Sequence, residues 1–188
     1  MSKFKLGIIV GSNRRQSINR KLAQALAGLA RDRFETHFIR IDDLPLFNQD
    51  LEGELPESVV RFKSEIAAAD GLLFVTPEHS RSIPAVLKSA IDWGSRPYGR
   101  NSWTAKPAAI TGASPGAIAT AVAQQHLRQI LGGLGMLVMG GEAFISFTPD
   151  LVDADGAIAD AGTRAFLQDF LDQFASLVDR LAPVGVAA

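Results

Sequence analysis

The run Leu6-Gly7-Ile8-Ile9-Val10-Gly11-Ser12-Asn13-Arg14-Arg15-Gln16-Ser17-Ile18-Asn19 decides the fold. A short apolar, β-branched stretch stops at a glycine, which is the signature of a strand buried on both faces. A polar loop follows. Then Ile18, Leu22, Ala25, Leu26 and Leu29 recur at helical spacing, with Arg20, Lys21 and Gln24 between them. That is an amphipathic helix with Ser17 as its N-cap.

The same alternation continues outward. Phe34–Ile41 reads as a second strand and residues 42–55 as a loop. Pro56 opens a helix that buries Val59, Phe62 and Ile66. Gly71–Thr76 is a third strand, broken by Pro77, and Ser82-Ile83-Pro84 starts a helix with proline near N1, where its missing N–H costs nothing. That helix buries Leu87, Ala90 and Ile91. A fourth strand is expected at Pro107–Thr111, then a helix with Ile118, Val122, Leu127, Ile130 and Leu131 inward. A fifth strand is expected at Met136–Met139, and a last helix carries Phe166, Phe170, Phe174, Leu177 and Leu181.

Strands that alternate with helices imply an α/β fold with a doubly wound parallel sheet. Five strands with helices on both faces suit the flavodoxin-like order 2-1-3-4-5. With 188 residues, one domain over 1–188 is expected, its residues 183–188 a loose tail.

Composition narrows the function. Nineteen basic and twenty acidic residues give a net charge of −1, so no basic face marks a nucleic-acid binder. There are no cysteines, which excludes disulfides, thiolate nucleophiles and thiolate metal sites. Neither a signal peptide nor a membrane-spanning run is visible, so a soluble, cytoplasmic protein without membrane contact is expected. His37 and His126 lack a second ligand at metal-like spacing, and no metal is expected.

In such sheets the ligand crevice lies beyond the carboxyl ends of strands one and three. Three loops converge there: Gly11–Asn19, Thr76–Ser82 and Thr111–Gly116. The first leads into a helix N-terminus, whose orphan N–H groups and dipole favour an anion. Ser12, Ser17 and Asn19 add polar donors, and Arg14 adds charge. The loop is neither a Walker A motif nor a GxGxxG fingerprint, so it suits a monophosphate. The alternative is that Ser17 only caps the helix and the arginines are solvated. In the second loop, backbone N–H groups near Glu78, His79 and Ser80 can face a flat heterocycle, while the Glu78 carboxylate reads as solvated. In the third, Gly112 and Gly116 allow close backbone approach to a ligand or serve only the turn. No Gly-x-Ser-x-Gly elbow is present, which favours a bound cofactor that carries the chemistry itself. No catalytic side chain is assigned.

Two segments resemble the NADPH-dependent FMN reductase family, in its bacterial chromate and quinone reductase branch. Gly11–Asn19 with Leu22-Ala23 is similar to the family's GSxRxxSxNxxLA loop. Pro77–Trp93 with Ser95-Arg96-Pro97 is similar to its PEYNxSxPGxLKNAIDWxSRP segment, and Gln125–Leu131 resembles the chromate and quinone reductase branch. The likeness spans residues 4–147. It implies a bound FMN, with its phosphate on Ser12, Arg14, Ser17, Ile18 and Asn19. The isoalloxazine ring would lie along Pro77, Glu78, His79 and Ser80, with Ser82 nearby and the loop Ser114–Gly116 beside its pyrimidine edge. NADPH or NADH would deliver hydride to the flavin, and a quinone, free flavin, chromate or azo compound would collect it. The family's assemblies imply a homodimer or homotetramer, to which Trp93, Tyr98 and Trp103 with Arg96 and Arg100 are candidate contributors; the alternative is ordinary core and loop packing, the favoured reading for Trp93. Two positions depart from the pattern: His79-Ser80 stand where the family has Tyr-Asn, and Ala85 where it has glycine. A flavodoxin-type electron carrier and a non-catalytic flavin-binding protein are the alternatives. The former favours an acidic docking face, which a charge of −1 does not offer.

Overall fold

The computed structural model describes residues 3–182. Strand β1 (Phe4–Val10) leads through the first loop to α1 (Ile18–Leu29), followed by β2 (Phe34–Phe38), α2 (Glu57–Ala68) and β3 (Gly71–Val75). Then come α3 (Ala85–Ser95), β4 (Pro107–Ser114), α4 (Ala121–Gly133), β5 (Leu137–Val138), β6 (Ala143–Ser146) and α5 (Ala161–Leu181). The sheet runs β2-β1-β3-β4-β5, all parallel, with β6 also on β4. The expected flavodoxin-like order therefore holds. The expected tail at residues 183–188 lies outside the described residues.

Alternating side chains of the sheet feed two cores, as a pleated strand requires. Leu6, Ile8, Val10, Leu73 and Val75 meet α1 and α5 through Leu22, Leu26, Phe170 and Phe174. Ile9, Leu72, Phe74 and Ile110 meet α2, α3 and α4 through Phe62, Leu87, Ile91 and Leu127. The carboxyl ends of β1, β3 and β4 thus emerge together between two helical layers, as the ligand rule for open α/β sheets requires.

Several boundaries differ from expectation. The second strand stops at Phe38, although Ile39 N–H still donates to Ile8 O at 2.9 Å. Pro84 is the N-cap of α3, one position outside the helix. The fourth strand runs on to Ser114, because Gly112–Ser114 find a partner in β6. The edge lane is split, giving six strands instead of five. While β4 advances from Ala108 to Thr111, the edge chain advances from Val138 to Ala143, and the surplus residues bulge out at Gly140-Gly141.

Two helix faces are also rotated. Helix α4 starts after Ile118, which is exposed, and its inner face is Ala123, Gln124, Leu127 and Leu131. Helix α5 buries Leu167, Phe170, Leu171, Phe174, Ala175 and Val178. A strict four-residue step drifts about 40° around a helix each time, so Phe166 and Leu181 end 46% and 42% exposed.

Trp93 and Trp103 are core residues, each bonded through its indole N–H, to Pro45 O at 2.8 Å and Ile91 O at 2.9 Å. Core packing of Trp93 is as expected, and of the three aromatic interface candidates only Tyr98 is exposed. The loop that carries it is anchored by Lys63, whose Nζ donates to the carbonyls of Gly94, Arg96 and Arg100. Burial holds that ammonium below its ordinary pKa.

Candidate functional site

A cavity of about 420 Å³ opens at the carboxyl ends of β1, β3 and β4. Its size falls within the roughly 300–1,000 Å³ of small-molecule pockets. Of the expected residues, Ser12, Arg14, Ser17, Ile18, Asn19, Pro77, Glu78, His79 and Ser114 line it. Ser80, Ser82 and Gly116 do not. Asn13, Ala113 and Pro115 line it from the expected loops, and Pro84, Ala85 and Val86 line it unforeseen. The signal for Ala85 and Val86 was available. Any helix that follows a strand here starts at the carboxyl edge, so α3 presents its first turn to the crevice just as α1 does.

At the α1 end, the buried Ser17 caps the helix, accepting from Arg20 N–H at 3.2 Å. Its own O–H remains a donor. The first-turn N–H groups of Ile18 and Asn19 have no intrahelical acceptor, and Arg14 is the one Lys or Arg side chain among the lining residues. Asn19 makes a contact that its spacing does not show. Its Nδ2 donates to Ala113 O at 2.9 Å, and its Oδ1 accepts from Ala113 N–H at 2.8 Å. At 1% exposure this side chain is committed to the backbone of Ala113, and the Asn19 backbone N–H is left without an intrahelical acceptor at the crevice.

The second loop is a tight hairpin. His79 N–H donates to Ser82 O and Ser82 N–H to His79 O, both at 2.9 Å. Ser80 and Arg81 take φ of 49° and 61°, the two positive values of a type I′ turn. Strain of about 1–3 kcal/mol per such residue persists only where surroundings over-determine it. The His79 amide is consumed by this turn and does not face the cavity. Ser82 is instead tied to α4, its Oγ 3.1 Å from His126 Nδ1.

Glu78 is not solvated. Its side chain is 9% exposed, and Oε2 accepts from Ala123 N–H at 3.0 Å. That amide is at the N3 position of α4, whose N-cap Thr120 makes no capping side-chain bond. Glu78 therefore caps α4 from another loop and places a negative charge where the helix dipole favours one. On the third side, Gly112 is a packing residue: a Cβ there would lie 1.9 Å from Thr76 O.

A larger groove of about 880 Å³ runs between β5 and α5. It lies at the sheet edge, away from the strand ends where loops converge. Among the described residues no group of three or more side chains is placed to hold a metal. No helix there is long and apolar enough to cross a membrane.

Fold and cavity together define a flavodoxin-like protein with a small-molecule crevice beyond the carboxyl ends of β1, β3 and β4. Residues 4–150 match the NADPH-dependent FMN reductase family. A 2-hydroxy-1,4-benzoquinone reductase from Burkholderia sp is 48% identical over 176 residues, 93% of this chain and 96% of its own. A quinone reductase from Pseudomonas putida is 48% identical over 177 residues, 93% and 95% of the two chains. Among solved structures, FerB, a flavoenzyme NAD(P)H:(acceptor) oxidoreductase from Paracoccus denitrificans, superposes with a TM-score of 0.91 at 44% identity, covering 94% of this chain and 98% of that one. The chain belongs to the NADPH-dependent FMN reductase family. It is an NAD(P)H-dependent oxidoreductase with FMN as its cofactor.

The residues present fit that cofactor. One end of the cavity gathers a serine hydroxyl, an arginine and first-turn amides, the donor set of a phosphate. Beside Glu78, His79 and Ser114, the rest is walled by Pro77, Pro84, Ala85, Val86 and Pro115, compact apolar side chains suited to an aromatic face.

Proposed function

We propose that this chain is a quinone reductase in which FMN occupies the crevice between β1, β3 and β4. Ser12, Arg14 and Ser17 hold the phosphate, together with the backbone N–H groups of Ile18 and Asn19. Pro77, Glu78 and His79 border the ring, and the loop from Ser114 borders its pyrimidine edge. The observation that carries this reading is the convergence on one cavity of an anion-binding helix start and an apolar wall.

FMN, when bound, supplies two-electron exchange with nicotinamide and quinone. The chain's own part is to bind, orient and exclude. The first loop fixes the phosphate, Glu78 clamps the hairpin against α4, and His79 stands exposed at the mouth, where nicotinamide and acceptor enter in turn. His79 replaces the family tyrosine and tunes which acceptors enter. Quinone is favoured over free flavin, chromate and azo compounds because the relatives at 48% identity carry quinone reductase names. NADPH and NADH both remain candidate reductants.

The reading extends to the whole chain as a single domain over 1–188, working in the cytoplasm as a homodimer or homotetramer, which light scattering tests. For the activity, purified protein is expected to show flavin absorbance, to lose it on anaerobic addition of NADPH, and to regain it with benzoquinone. Colourless protein that takes up no FMN overturns the assignment.

A further inference from the structure

Asn19 is the second residue of α1, in the first turn, where an asparagine side chain can turn back on the free backbone N–H groups of its own helix. Here it competes with nothing local. Its carboxamide reaches out of α1 and exchanges two hydrogen bonds with the backbone of Ala113, at 2.9 and 2.8 Å.

The sheet explains why Ala113 needs them. Thr76 N–H donates to Thr111 O, and Phe147 N–H donates to Ser114 O. Thr111 and Ala113 have the same parity, so the N–H and C=O of Ala113 face the lane of β3. That lane is vacated there: β3 ends at Val75, and Glu78, whose N–H the register would set opposite Ala113 O, lies beyond Pro77 in the loop. Ala113 is fully buried, and backbone groups orphaned at such a site carry the full cost of their desolvation.

We infer that the Asn19 carboxamide replaces the missing peptide of β3, and so locks the helix start that holds the flavin phosphate to the strand end that positions the Ser114 loop beside the ring. Asn19 is thus a positioning residue that acts through Ala113. It sets the distance between the two ends of the site, and its side chain does not bind the phosphate. The inference rests on the proposed flavin site and adds a division of labour within it.

The test compares FMN with riboflavin, which shares the ring and lacks the phosphate. Apoprotein with Asn19→Ala is titrated with each flavin, and its melting temperature is read without ligand. If that variant does not fold, Asn19→Ser is measured instead, since serine is too short to span to both Ala113 groups. The expected result is a parallel loss: both dissociation constants rise about tenfold, as the loss of one or two such bonds implies, and their ratio stays at the unaltered value. A rise for FMN alone would make Asn19 a phosphate contact and overturn the inference. So would a lowered melting temperature with both affinities unchanged, which marks a purely structural role. Unaltered protein that binds neither flavin overturns the cavity assignment itself and the inference with it, whereas the other two failures leave the assignment standing.

Discussion

Arg14 and Glu78 carry the two charges that matter most around the cavity, and they act in opposite ways. Arg14 is exposed and reaches the cavity from a loop. A charge-assisted bond to a phosphate is worth about 1.5–3 kcal/mol. Arg14→Ala is therefore expected to weaken FMN at least about tenfold and to leave riboflavin unchanged. Fluorescence titration of the apoprotein with both flavins measures this. It is the opposite pattern to that expected of Asn19. Glu78 is turned inward, and its work is done at the Ala123 amide. Loss of a helix cap costs about 0.5–2 kcal/mol. Glu78→Ala should lower unfolding stability by about 1 kcal/mol, while Glu78→Gln, which keeps an acceptor oxygen, should lose less. Denaturant unfolding of the three proteins gives the comparison. Its contact with Arg81 at 3.4 Å is with a side chain 70% exposed, and solvent screens most of its value.

Helix α5 offers a pH signature at the scale of one element. Its N-cap Asp160 accepts from Thr163 N–H, and that bond holds the carboxyl pKa below 3.8. A carboxylate with a depressed folded pKa contributes stability that is complete above 3.8 and is lost as pH falls through the folded value. Asparagine caps as well but does not titrate. Melting curves from about pH 6 to about pH 3 should show Asp160→Asn gaining on the unaltered protein only at the acid end. A constant difference across that range would contradict the cap. The legibility of each element in the sequence follows the same logic of distance. Ser17 was readable as a cap because its partner, Arg20 N–H, is three residues on. The α2 face of Val59, Phe62 and Ile66 was readable because its period is local. The inward turn of Glu78 and the tie of Asn19 to Ala113 are not legible, because their partners lie 45 and 94 residues away and no spacing rule reaches that far. The split of the edge lane was hidden too. Arg128, on α4, donates to Met139 O and Gly141 O across the bulge between β5 and β6, a tie between helix and sheet edge that strand periodicity does not show. The site's position was legible because parallel α/β topology dictates it; the partners of its polar groups had to be seen.

At the scale of the whole molecule, the cavity belongs to no single element. It is assembled from the starts of α1 and α3 and the loops after β1, β3 and β4, tied across by Asn19, Glu78 and the Ser82–His126 contact. Unfolding scatters all of these, so the unfolded chain has no site and flavin binds the native state alone. A ligand of that kind stabilises by about 2.7 kcal/mol when its free concentration is one hundred times its dissociation constant. For a domain of this size each kcal/mol moves the melting temperature by about 2–4 °C. FMN at that level should therefore raise the apoprotein's transition by about 5–11 °C. Riboflavin at the same absolute concentration should raise it less, by the margin that the α1 phosphate contacts supply. In Arg14→Ala the two shifts should converge. In Asn19→Ala both should shrink together, because one end of the site is then no longer held at a fixed distance from the other. Differential scanning fluorimetry or calorimetry across the three proteins and two flavins reads all of this in one experiment, and equal shifts by FMN and riboflavin in the unaltered protein would remove the phosphate from the α1 terminus.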